Sequence, residues 1–178
     1  MTKVSTNGTW TKVTQIDISQ FSGLGTGEIR WGDVASYDRK SGYSFKGQDI
    51  ELKLDGTDFP LGTFTHHNNV IPLSADLQFS AYLTVILTFD DDNLQHPVPE
   101  LEFLHDEILN DAPSPNDVVE LPKFKDYDLL FVGNVEYRMT ITGFLWNKQK
   151  VTRFNSKEKE STSAEIIARM EPTGRRGA

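Results

Sequence analysis

The sequence predicts an all-β protein: a single-domain antiparallel β-sandwich of the jelly-roll or immunoglobulin-like kind, with about eight to eleven strands. Three observations lead there. Apolar residues recur with a period of two in several runs, as on a strand with one buried face. Between the runs lie turn-rich segments: FSGLGTGE, DRKSG, LDGTD, HHNN, DDDN and NDAPSPND. No helical period of adequate length appears; SAEIIARM is compatible with a short helix, but its alternation and its isoleucines favour a strand.

In chain order, the first clear alternation sets Ile50, Leu52 and Leu54 against Glu51 and Lys53. LGTFTHHNNVIPL then places Phe64 and His66 on one face of a strand and Thr63, Thr65 and His67 on the other. From Leu77 to Phe89 every odd position is apolar, which reads as a long strand with one buried face. Leu101 and Phe103 alternate with Glu100 and Glu102, and His105 is in phase with the apolar pair. Val135, Tyr137, Met139, Ile141 and Leu145 share a parity, with Phe144 and Trp146 breaking the polar side near the end. Ala164, Ile166, Ala168 and Met170 repeat the pattern. The sandwich is expected over residues 1–170, with 171–178 a flexible tail rich in Gly and Arg.

At 178 residues the chain is long enough to bury one substantial core. A hydrophobic content of 37% with mean hydropathy −0.44 marks a globular chain, and no run reaches the roughly 20 apolar residues of a membrane-spanning helix. With no cysteine, disulfides, thiol catalysis and thiolate metal sites are excluded together. The net charge of −8 is unevenly placed. Residues 90–128 hold twelve acids, Lys123, Lys125 and five prolines, and read as a long acidic loop region. An acidic body repels phosphate backbones, so nucleic acid is not an expected partner. MTKVSTNGTWTKVTQ shows no apolar stretch, hence no secretory signal; either the chain is cytoplasmic or its signal is removed.

Chemistry-bearing residues cluster in three places. In THHNN, adjacent histidines on a strand diverge and make a poor chelating pair, so only one of His66 and His67 can follow Phe64 inward, with Asn68 and Asn69 building a turn. His67, Asn68 and Asn69 are candidate ligand-binding residues. FDDDN offers Asp90, Asp91 and Asp92, oxygen donors of the kind Ca2+ takes, or else a solvated turn. FLHDE offers His105, Asp106 and Glu107. If the two histidine blocks meet, His66 or His67 forms a small polar cluster with His105, Asp106 and Glu107: a hydrogen-bond network, a metal site with Ca2+ or, second, Zn2+, or a catalytic acid-base set. GLGTGE has glycines but no following helix to present to a phosphate, so it reads as a turn. Trp10, Trp31, Tyr37, Tyr43, Tyr127 and Trp146 either pack or stack on sugar rings.

FPLGTFTHHNNVI, the long alternating strand, LEFLHDEILN, DVVEL and GNVEYRMTITGF, in that order, resemble the choice-of-anchor K domain of bacterial surface proteins. The similarity runs from about Trp31 to Met170. It implies an all-β domain, usually exported and often tethered to a cell surface, with no catalytic activity to carry over. The family's His-Asn-Glu-Thr-Pro-Asn block reads here His105-Asp106-Glu107-Ile108-Leu109-Asn110, which keeps the His, the acid and the terminal Asn and loses the Thr-Pro.

The expected function is a non-enzymatic binding or adhesion-type module of an extracellular or cell-surface bacterial protein, calcium-dependent or not, with a glycan or protein ligand. Two alternatives stand beside it: a structural subunit that self-associates into a particle or filament, and a hydrolase using the His and acid cluster.

Overall fold

The computed structural model describes residues 1–14, 17, 20–72, 77–90, 95–107, 116–124 and 129–177. Strands dominate, all pairing antiparallel, and the sheets pack as a sandwich. The first sheet contains β1 (Thr2–Thr14), β5 (Asp49–Leu52), β7 (Leu77–Phe89), β8 (Gln95–Pro97), β9 (Leu101–Glu107) and β11 (Lys123–Phe124). Its order is β11-β9-β7-β1-β5, with β8 also on β7. The second contains β2 (Phe21–Ser22), β3 (Glu28–Trp31), β4 (Ser41–Lys46), β6 (Asp58–Asn68), β12 (Leu129–Val132), β13 (Val135–Trp146), β14 (Gln149–Val151) and β16 (Glu160–Arg176). Its order is β12-β13-β16-β6-β4-β3-β2, with β14 on β13. A separate ladder joins β10 (Asp117–Glu120) to β15 (Arg153–Ser156). A 3-10 turn, Tyr37–Arg39, precedes β4. Among the described residues no helix is long and apolar enough to cross a membrane.

The sixteen strands among the described residues exceed the expected eight to eleven because pieces as short as β2 and β11 are too brief to show alternation. Two further expectations are corrected. Residues 90–128 are not one loop: β8, β9, β10 and β11 all fall within them. Nor do residues 171–176 form a free tail, since β16 continues to Arg176, which pairs with Val135.

The alternation of β7 places Phe79, Ala81, Leu83, Val85 and Leu87 inward with no exposed surface. Opposite them stand Phe64, Phe144, Ile166 and Ala168 of the second sheet, also fully buried. The core is aromatic at its centre. Phe64 of one sheet stacks on Phe103 of the other at 4.9 Å and 10°, and Trp10 lies 5.4 Å from both Phe103 and Tyr43.

Bulges re-aim two strands. Between Ile141 and Gly143 the pairing of β13 with β16 slips by one residue, so Phe144 turns inward and Leu145 outward, opposite to the parity an unbroken strand would give. A slip opposite Ile166 and Ile167 moves the inward set of β6 from Phe59 and Leu61 to Phe64 and His66. Gly62 lies at this slip for a steric reason: the Phe45 ring occupies the space a Cβ there would need. The same ring covers Gly8 of β1. Small inward residues therefore leave β1 with little apolar signal, although it pairs with β7 along most of its length.

Candidate functional site

Three strands from three ladders converge on one buried point. In β6, strand parity sends Phe64, His66 and Asn68 inward and Thr65 and His67 outward. In β9 the inward set is Leu101, Phe103 and His105, while Leu104 and Asp106 face solvent. In β10, Asp117 and Val119 are inward and Val118 and Glu120 outward. His66, His105 and Asp117 thus meet at 0%, 2% and 1% exposure, with one possible ligand atom from each lying within 4.8 Å of the others.

The surroundings are aromatic. Trp31 lies parallel to the His66 ring at 6.2 Å and 18°, and its edge approaches His105 at 4.8 Å. Phe79, the cross-strand partner of His105, is also 4.8 Å from that ring. Tyr43 touches both imidazoles, and its hydroxyl hydrogen-bonds His105 Nδ1 at 2.5 Å. The two imidazoles are 5.3 Å apart, and His66 Nε2 is 3.7 Å from Asp117 Oδ2.

Burial pushes the His66 imidazole well below its ordinary range, and the nearby His105 and His67 add to the shift. His66 is therefore neutral at pH 7, with a lone pair to offer. Among the described residues neither of its nitrogens has a hydrogen-bond partner. An unsatisfied buried polar atom costs about 1–3 kcal/mol. Two imidazoles and a carboxylate suit divalent transition ions such as Zn2+; Ca2+ takes oxygen donors, which this set does not supply in number.

Asn68 helps to place the carboxylate. Its side chain is fully buried and its Nδ2 donates to the Ser156 carbonyl at 2.9 Å. Ser156 is the ladder partner of Asp117, so β6 grips the strand pair that delivers Asp117. Asn69 is likewise engaged: Nδ2 donates to the Lys40 carbonyl, and its backbone exchanges hydrogen bonds with the Ser41 hydroxyl. The expected asparagine turn is thus corrected, because β6 runs through Asn68 and neither residue is left-handed. Asn68 is sealed from an external ligand.

His67 faces the outer surface, between the Ser44 and Ser161 hydroxyls at 3.1 and 2.8 Å and 4.0 Å from Glu28 Oε2. Partial burial and the Arg30 charge lower its imidazole, with Glu28 opposing. Of the other sequence candidates, Asp106 points into solvent, away from His105. Glu107 ends β9, and its side chain lies outside the described residues, as do Asp91 and Asp92. Asp90 is exposed just after β7, its backbone donating to Lys3. Asp117 was the residue that sequence reasoning missed as a ligand. Its signal was the alternation of DVVE, where Asp117 shares the parity of an inward valine.

A second feature lies on the surface. Trp10, Trp31 and Tyr43 are core residues, Tyr37 is exposed and Tyr127 is outside the described residues. Trp146 is half-buried at the end of β13 and stacks on Phe154 at 5.8 Å and 23°. It is followed by Asn147 and Lys148, both left-handed, as a tight two-residue hairpin requires. Two open hollows share Trp146 and Asn155. One, of about 410 Å3, adds Val118 and Arg153; the other, of about 320 Å3, adds Asn147, Lys157, Glu160 and Ser161 to Ser163.

No protein-family model matches the chain, and no curated protein matches it. Fold and site together define an all-β sandwich with a polar centre enclosed in its core.

Proposed function

We propose that the chain is a non-enzymatic binding module that holds a glycan on the surface around Trp146. The observation that carries this reading is the pairing of one partly exposed indole with amides, hydroxyls and charged groups in the two adjoining hollows. Sugars present apolar C–H faces ringed by hydroxyls, so they bind where an aromatic face and convergent polar groups lie side by side. Asn147, Asn155, Glu160 and Arg153 supply donors and acceptors around the ring. The histidine-aspartate centre, by contrast, has almost no exposed surface through which a substrate would enter. The resemblance to choice-of-anchor K domains supports an extracellular or cell-surface setting, and a protein ligand on the same surface is the next reading.

The chain has three tryptophans, and Trp10 and Trp31 are fully buried. A fluorescence titration with oligosaccharides of different linkage should therefore report on Trp146. One glycan class is expected to bind, and Trp146→Ala to weaken it roughly tenfold or more, which corresponds to about 1.4 kcal/mol. Repeating the titration with Ca2+ and with a chelator tests whether Asp90, Asp91 and Asp92 make binding calcium-dependent. Binding that survives Trp146→Ala unchanged, in a variant with the parent's circular dichroism, would refute the reading.

A further inference from the structure

We propose that His66, His105 and Asp117 are the ligands of a structural divalent transition ion of the zinc class, held inside the core where the two sheets and the β10-β15 ladder meet. The assignment stands independently of the glycan surface.

Spacing is the first argument. At 3.7 Å, His66 Nε2 and Asp117 Oδ2 are too far apart for a hydrogen bond. Two ligands on a tetrahedral ion, with bonds of about 2.0–2.1 Å, stand roughly 3.3 Å apart, only a few tenths closer. The widest pair in the set, at up to 4.8 Å, must close by about 1.5 Å, a movement within reach of imidazole and carboxylate rotation.

The second argument is His66 itself. It is fully buried, aimed at the cluster, and no group among the described residues offers either of its nitrogens a hydrogen bond. An ion on Nε2 gives that atom a partner.

The third is the shell behind the ligands. A metal-bound histidine ordinarily donates its other ring N–H to an oxygen, which fixes the tautomer. The Tyr43 hydroxyl at His105 Nδ1 is such an oxygen, leaving Nε2 for the ion. Asn68 does the corresponding work for Asp117 through Ser156. A water completes four-coordination. Because all three ligands are buried, the ion is a cross-link and not a Lewis acid for substrate.

The test uses the full chain, stripped with a chelator and reloaded separately with Zn2+ and Co2+. Elemental analysis is expected to give one ion per chain, and the Co2+ form to show the visible absorption of low-coordinate, imidazole-ligated cobalt. Zn2+ at a hundredfold excess over its dissociation constant should raise the melting temperature by roughly 5–10 °C. Asp117→Asn should weaken binding at least tenfold, whereas Asp106→Asn, on the exposed side of the same cluster's strand, should leave it unchanged. His66→Phe removes a ligand while keeping an apolar ring against Trp31; should that variant not fold, the Co2+ spectrum of the parent chain and the two aspartate variants still decide. No retained ion and an unchanged melting temperature with both metals would overturn the proposal. So would full binding in Asp117→Asn, or loss of binding in Asp106→Asn.

Discussion

His66 sits where no proton is welcome. In the unfolded chain its imidazole has the ordinary value near 6.5, whereas burial holds it well below that in the folded protein. Above about pH 6.5 both states are neutral at this position, and it adds no pH dependence. As pH falls through 6.5 the unfolded chain takes up a proton that the folded chain refuses. Stability then declines by up to about 1.4 kcal/mol per pH unit until the folded-state value is reached. Urea unfolding of the metal-free chain between about pH 6.5 and 5 is expected to show this slope, and His66→Phe to remove one proton's share of it. An identical slope in the variant would show that His66 is not held neutral. Strand parity allowed only one inward histidine, because neighbouring side chains on a strand point to opposite faces, and the fold makes it His66. Asp117 was harder to single out, as one of twelve acids between residues 90 and 128 with a weight visible only in three dimensions. The asparagines misled in the opposite way: their tolerance of turns concealed that Asn68 spends its amide on another strand.

At the scale of elements, β7 was fully legible because each of its described inward positions is apolar and the extra residue in its ladder with β1 lies on β1, between Trp10 and Lys12, leaving the parity of β7 unbroken. The strand β1 was not, since Thr6 and Gly8 occupy inward positions where a larger strand residue would give a signal. The reason lies on another strand, in the Phe45 ring that covers Gly8 and Gly62 together. A close approach between sheets cannot be read from either sequence segment by itself. The bulge in β13 has a direct test. Phe144→Ala, which empties a fully buried site, is expected to cost about 3–5 kcal/mol. Leu145→Ala, at 38% exposure, should cost no more than about 1 kcal/mol. Thermal or urea unfolding of the pair measures both; equal costs would mean that the register does not slip between Ile141 and Gly143.

For the whole molecule, the core is one continuous apolar cluster that joins both sheets, with Trp10, Trp31, Tyr43, Phe64 and Phe103 at its centre. The antiparallel sandwich was legible because alternation and turn chemistry agree along the chain. Its strand order was not, because pairings between distant segments leave no periodic trace. The most distant of these shapes the second sheet. β16 runs between β13 and β6, bonded to each along most of its length, and β6 was laid down almost a hundred residues earlier. On the ribosome this order has a kinetic meaning. Until residues 160–170 emerge, β6 and β13 have open edges facing each other across a missing strand, and the inward side of the sheet is uncovered along its middle. Such long-range closure is slow, and unpaired edges invite association with other chains. Stalled nascent chains ending at residue 158 should therefore remain sensitive to protease, while chains with residue 176 clear of the exit tunnel should resist it. Protection of the shorter chain would show that the sheet closes without β16. The second sheet thus stays open at its middle until β16 arrives, and over that interval the facing edges of β6 and β13 are exposed to pairing with other chains.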